Sequence, residues 1–218
     1  MKNPELQGIN IVLVGNFNPS IFQPVWFASE DLIRRGEADA AKIEIIHPDL
    51  AIFDIEGYRI EVNQTRFSIS TTQAPYFEVI RDLTLGTFRS LKHTPISMMG
   101  INFLAHFKID SEEKWHEIGH ILAPKPPWGD ALDSPGLRSL TMEESKRRDG
   151  RAGHLRVKVE PSVKIIPGIY LDINDHFQKP SGSKTTGSEE IVTILDNSWE
   201  ASLERSDKII RTLLEQYL

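Results

Sequence analysis

The first apolar run, residues 9–14, is interrupted only by Asn10 and stops at Gly15, which predicts a buried strand. The stretch from Asn16 to Ser20 reads as a turn into a helix over 24–35, with Gly36 as its expected end. The apolar period then drops to two. Runs at 42–47, 51–55, 58–62 and 67–70 are separated by Pro48-Asp49, Glu56-Gly57 and Asn63-Gln64, which predicts an antiparallel meander. In the third run Tyr58, Ile60 and Val62 take one side, and Arg59, Glu61 and Asn63 the other.

Helical spacing returns at 74–92, where Phe77, Ile80, Leu83, Thr84, Phe88 and Leu91 form one face. A long strand is expected at 96–107. The sequence Asp110-Ser111-Glu112-Glu113 starts a short helix by a capping box, and that helix must end near Leu122 because Pro124, Pro126 and Pro127 follow. Residues 123–153 are irregular, with Leu137, Leu140 and Met142 expected to pack. Alternation resumes at 154–160, with Leu155, Val157 and Val159 inward, and a further strand is expected at 169–177. Residues 178–188, QKPSGSKTTGS, read as a flexible loop. Ser188 is then expected to cap a long C-terminal helix whose stripe is Ile191, Leu195, Trp199, Leu203, Ser206, Ile210, Leu213 and Tyr217.

Together these elements predict an α+β fold in one domain, 1–218: a mainly antiparallel sheet with helices packed on one face and the long terminal helix lying across it. The strand GINFLAHF at 100–107 echoes GIYLDINDHF at 168–177, which raises an internal pseudo-duplication. With 218 residues, 39% of them hydrophobic, the chain is long enough for a real core. It has no Cys, which removes disulfides and thiolate chemistry and fits a reducing compartment. No stretch approaches the roughly 20 apolar residues of a membrane span, so the expected location is the cytoplasm.

A net charge of −6 argues against a surface built throughout for phosphates. The one basic segment, Lys146, Arg147, Arg148 and Arg151 continuing to Arg156 and Lys158, is interleaved with Glu143, Glu144 and Asp149 and reads as a solvated face. Among motifs, His116-Glu117-Ile118-Gly119-His120 matches H-E-x-x-H and resembles the zincin metallopeptidases. Residues i and i+4 share a helix face, so the resemblance implies His116 and His120 as zinc ligands and Glu117 as the catalytic base. The segment departs from the metzincin extension, with Ala123 and Pro126 where Gly and His belong. Asp172, Asn174 and His176 share a strand face, as do Asn102 and His106, and this polar face is expected to line a groove.

In layout the chain resembles a sporadically distributed, uncharacterised bacterial family of α+β proteins. The resemblance is carried by SMMGINFLAHF, YLDINDHF and the long terminal helix, without the Arg-rich form of the first segment. It brings no assigned activity. The expected function is therefore a non-enzymatic binding or accessory subunit of a bacterial assembly, without a cofactor, meeting a protein partner or a second copy through Trp128, Arg147 and Arg148. Aromatic and Arg residues are enriched at interface hot spots. The alternative is a zinc-dependent metallohydrolase using residues 116–120.

Overall fold

The computed structural model describes residues 3–179 and 186–217. Most of the flexible loop expected at 178–188 thus lies outside the described residues. Nine strands are present among them: β1 (Leu6–Gly15), β2 (Lys42–His47), β3 (Leu50–Ile55), β4 (Tyr58–Asn63), β5 (Arg66–Thr71), β6 (Ile96–Lys108), β7 (Leu140–Glu144), β8 (Gly153–Pro161) and β9 (Gly168–Gln178). They form one antiparallel sheet in the order β2-β3-β4-β5-β1-β6-β9-β8-β7. The period-two runs therefore pair as expected. Strand β7 lies inside the stretch read as irregular.

The helices are α1 (Pro24–Ser29), α2 (Arg35–Asp39), α3 (Phe77–Ser90), α4 (Glu112–Leu122) and α5 (Glu189–Leu214). The single helix expected over 24–35 is two short ones, with Gly36 inside the second. The break is at Asp31, whose φ of 56° puts it in the left-handed region. The Leu32 amide reaches back to the Phe27 carbonyl (2.9 Å), a helix ending that Asp tolerates better than most side chains. Ser188 precedes α5 as expected but makes no side-chain cap, because its buried hydroxyl donates to the Phe88 carbonyl (2.6 Å) at the end of α3. Met142 does not pack: it stands 62% exposed on the edge strand β7.

All the core lies on one face of the sheet. Ile9, Ile11 and Leu13 of β1 and Phe67 and Ile69 of β5 meet Phe27 of α1, Ile80 and Phe88 of α3, and Leu195 and Trp199 of α5. A second cluster joins Phe107, Ile169, Leu171 and Ile173 to Ile118 of α4 and to Ile210 and Leu214 at the far end of α5. The 26-residue α5 thus crosses the sheet and touches both clusters. Each fully buried aliphatic or aromatic side chain contributes about 1.5–3 kcal/mol of transfer free energy, so this face is where the fold is decided.

The topology repeats. Strand β1 is followed by α1 and α2, a crossing to the sheet edge, a strand-by-strand return through β2, β3, β4 and β5 to pair with β1, and then α3. Strand β6 is followed by α4, a crossing to the opposite edge, a return through β7, β8 and β9 to pair with β6, and then α5. The two halves meet where β1 pairs with β6, and the partners at that seam include Asn10↔Asn102. Each of these Asn residues is preceded by Gly-Ile. The echo read from the sequence joined β6 to β9, which are neighbours within one half; the counterpart of β6 is β1.

Candidate functional site

The opposite face of the sheet is covered by no helix of either core cluster. Side chains alternate along each strand, so the register fixes which of them share that face. Following direct cross-strand partners gives one row: Lys42, Asp54, Arg59, Ser70, Asn10, Asn102, Asn174, Arg156 and Glu143. At a strand spacing of about 4.8 Å, the row is about 38 Å long. It is nearly symmetric about the central pair: Ser70 answers Asn174, Arg59 answers Arg156, and Asp54 answers Glu143. Arg59 is held by Glu61 (2.7 Å), Glu44 (2.5 Å) and Asp54 (3.3 Å), and Arg156 by Glu143 (2.7 Å).

The amides at the centre are mutually bonded. Ser68 donates to the Asn10 side-chain oxygen (3.1 Å), Asn102 donates to the Asn10 carbonyl (3.2 Å), and Asn174 donates to the Asn102 side-chain oxygen. Two cavities flank this centre. The larger, about 960 Å³, involves Asn10, Asp54, Arg59 and Ser70 and runs to α2 and the β3–β4 turn. The other, about 580 Å³, is lined by Asn102, Thr141, Arg156, Lys158, Asp172 and Asn174. Burial raises the Asp172 carboxyl above the usual range; Lys158 opposes the rise and Glu160 adds to it. Burial also pushes the Tyr170 hydroxyl up to about 12, with Asp172 and Glu160 adding to it.

Histidines continue this face. His154 and His176 stack at 4.5 Å across β8 and β9. Burial first, then His154, Arg156 and Arg147, hold the His176 imidazole below its ordinary value, against a small opposing pull from Asp175. His106 lies against Tyr170 (4.7 Å), and its Nδ1 meets the Ser162 hydroxyl at 2.8 Å. That hydroxyl already accepts from the amides of Lys164 and Ile165, so its own proton goes to Nδ1, and the neutral ring carries its hydrogen on Nε2. Burial and then Lys164 lower the His106 imidazole as well. The expected polar groove face is therefore present, and it extends through residues the sequence reading did not connect: Asn10, Arg59, Ser70, Arg156 and Glu143.

The residues expected to meet a partner are not gathered in one place. Trp128 is 51% exposed, in the 3-10 turn Pro126–Ala131. Three residues before it, Lys125 lines a small cavity with Pro161 and Ile169 at one end of β8 and β9. Arg148 is exposed and paired with Glu144 (3.0 Å), opposite Leu155 toward the other end, about 20 Å away at strand rise. Arg147 is inside. Its guanidinium lies 3.9 Å over the Phe177 ring and pairs with Asp149 and Asp175. Asp175 also accepts from Arg205 (2.6 Å) and Ser202 (2.7 Å) of α5, closing a balanced network of two cations and two carboxylates. Desolvation alone would raise Asp149, but hydrogen bonds from Arg147 and the Arg151 amide, with the charges of Arg147 and Arg205, bring it down to about 2. The signal for this network was in the sequence: Asp175 falls on the inward register of β9, between Ile173 and Phe177, and a buried charge there requires partners.

On α4, His116, Glu117 and His120 are exposed, while Ile118 is buried and Trp115 donates to the Gly168 carbonyl (2.9 Å). Among the described residues no group of three or more His, Asp or Glu side chains is placed to hold a metal ion. No described helix is long and apolar enough to cross a membrane. No family model matches the chain, and no curated protein matches it either.

Proposed function

We propose that the chain is a non-enzymatic binding protein, an accessory subunit of a bacterial assembly working in the cytoplasm, with the uncovered sheet face as its recognition surface. The observation that carries this reading is the polar row from Lys42 to Glu143, centred on mutually bonded amides and flanked by two ion-paired arginines. A sheet places such groups rigidly, and rigid, pre-oriented hydrogen-bonding groups lose little entropy when they meet a partner. Exposed Trp128 and Arg148 belong to the flanks of this reading rather than to its centre.

A photo-crosslinking residue placed at Ser70, at Asn174 or at Trp128 tests it in cells. The expected result is a discrete protein adduct from Ser70 and Asn174 that Arg59→Glu with Arg156→Glu abolishes, while the purified variant keeps its melting transition. Adducts from Trp128 alone would move the interface to the turn after α4. No adduct from any of the three positions would remove the accessory role.

A further inference from the structure

The cleft over the second half differs from its larger neighbour in what its lining leaves unengaged. In the larger cavity Arg59 is held by three carboxylates. In the smaller one, Arg156 uses Nε (3.1 Å) and Nη2 (2.7 Å) on Glu143, which leaves Nη1 pointing elsewhere. Lys158 makes one long ion pair, 3.4 Å to Glu160, and stands 5.5 Å over the Tyr170 ring. Asn174 spends one amide hydrogen on Asn102 and keeps its side-chain oxygen. Asp172 is half-buried and makes no hydrogen bond or ion pair with any described residue, and neither does the Thr141 hydroxyl.

The register sorts these groups into two adjacent rows, Asn102–Asn174–Arg156 and Asp172–Lys158–Thr141, two residues apart along the strands. Asp172 and Arg156 are thus diagonal neighbours across β9 and β8, with Cα atoms about 7–8 Å apart. A simple anion entering the cleft would meet the Asp172 charge, and a simple cation would meet Lys158 and Arg156. A molecule carrying both charges on adjacent carbons meets a partner at each end. Its ammonium has two acceptors side by side on β9, the Asp172 carboxylate and the Asn174 oxygen, with its third hydrogen left to solvent. Its carboxylate has the free edge of Arg156 and the Lys158 ammonium, and charge-assisted bonds of this kind are the stronger ones.

We infer that the cleft lined by Asn102, Thr141, Arg156, Lys158, Asp172 and Asn174 binds a free α-amino acid as its zwitterion. The volume of about 580 Å³ leaves room for a side chain, which would extend over the polar centre of the sheet and so be polar. The inference rests on the uncovered face being a recognition surface, but not on the identity of any protein partner.

The test uses the full purified chain, titrated calorimetrically with each of the common free L-amino acids, and then with the amide and the N-acetyl derivative of whichever binds tightest. The expected result is saturable binding with Kd of about 1 mM or below for an amino acid with a polar side chain. Each derivative, lacking one charge, should bind at least about tenfold more weakly, a loss of roughly 1.4 kcal/mol. Asp172→Asn should weaken the zwitterion to a similar degree, and Asp196→Asn, at an exposed pair with Arg89 on α5 away from this face, should not. Failure of every amino acid to bind, or equal binding of the singly charged derivatives by the unaltered protein, would overturn the proposal without any variant having to fold. Amino-acid binding without partner adducts would keep this inference and sink the accessory role; adducts without amino-acid binding would do the reverse.

Discussion

The two halves of the sheet share a topology and are closed in different ways. In the first, six phenylalanines, Phe17, Phe22, Phe27, Phe53, Phe67 and Phe88, meet under β1, β3 and β5, with Phe67 edge-on to Phe88 at 5.0 Å and tilted against Phe22 at 5.6 Å. In the second, the cluster is mostly aliphatic, and the loop between β7 and β8 inserts Arg147 beneath β9, where Asp149 and Asp175 hold it and Arg205 pairs with the same two carboxylates. One half is fixed by shape, the other by charge. Ring packing is insensitive to pH and salt, whereas a buried ionic network holds only while every charge has its partner. A shared strand order therefore does not imply a shared mode of stabilisation, and the half carrying the charged latch also carries the cleft with unengaged polar groups.

Removing a ring should have the largest effect. Phe67 is fully buried and touches three other rings, so Phe67→Ala is expected to cost about 3–5 kcal/mol by urea unfolding. An equally large cost in 1 M salt and in low salt would fit closure by shape; a strongly salt-dependent cost would break the comparison.

Arg147→Ala is the matching experiment in the second half, expected to cost about 3 kcal/mol because it leaves Asp175 short of a partner in the interior. Arg147→Met combined with Asp175→Leu should cost less than Arg147→Ala alone, since Asp149 and Arg205 then remain as a balanced pair. A double variant as damaging as the sum of its singles would show that the latch acts through packing rather than charge.

Titration separates the halves more gently. Asp149, held at about 2 in the fold, stabilises above the ordinary carboxylate value, and that contribution is lost as pH falls from about 4 toward 2. His176 is held below its ordinary value, so the unfolded chain binds a proton first and stability should fall as pH drops below about 6.5. His176→Gln should flatten that part of the profile of melting temperature against pH. An unchanged profile would mean that the stacked pair with His154 does not sense pH.

How much of this was legible follows from which interactions are local. The meander, the inward alternation of Leu155, Val157 and Val159, and the stripe of α5 are period effects, and the structure has them. The break at Asp31 was not visible, because a left-handed Asp is decided by how Leu32 seats against Gly86 of α3, a contact over fifty residues away in sequence. Strand β7 was hidden because its apolar residues are few and Met142 faces solvent at the edge. The polar row was half visible: alternation placed Asn102 and Asn174 on one face, but only the register of β1 against β6 lines Asn10 up with Asn102. Arg147 looked like a surface charge because its buried partner Asp175 lies 28 residues further along the chain, and Arg205, which shares that carboxylate, 58.

The smallest expected effect concerns α4, and it decides between the binding and hydrolase readings. That helix is held by Ile118, which is fully buried, and by Trp115, while His116, Glu117 and His120 face outward. Exposed helix positions away from caps and networks usually shift stability by no more than about 0.5 kcal/mol, so His116→Ala and His120→Ala should each leave the unfolding midpoint nearly unchanged. Ile118→Ala on the same helix should cost about 2–5 kcal/mol, which serves as the control that α4 contributes to the fold at all. A zinc site would reverse this pattern. Protein purified without chelator would then carry about one equivalent of metal through His116, His120 and a further oxygen or nitrogen ligand; His120→Ala would lose both metal and stability, and Glu117→Gln would keep the metal and lose hydrolysis. Elemental analysis of the unaltered protein and of His120→Ala is sufficient: stoichiometric zinc that disappears with the imidazole would make this chain an enzyme, and its binding face a secondary feature.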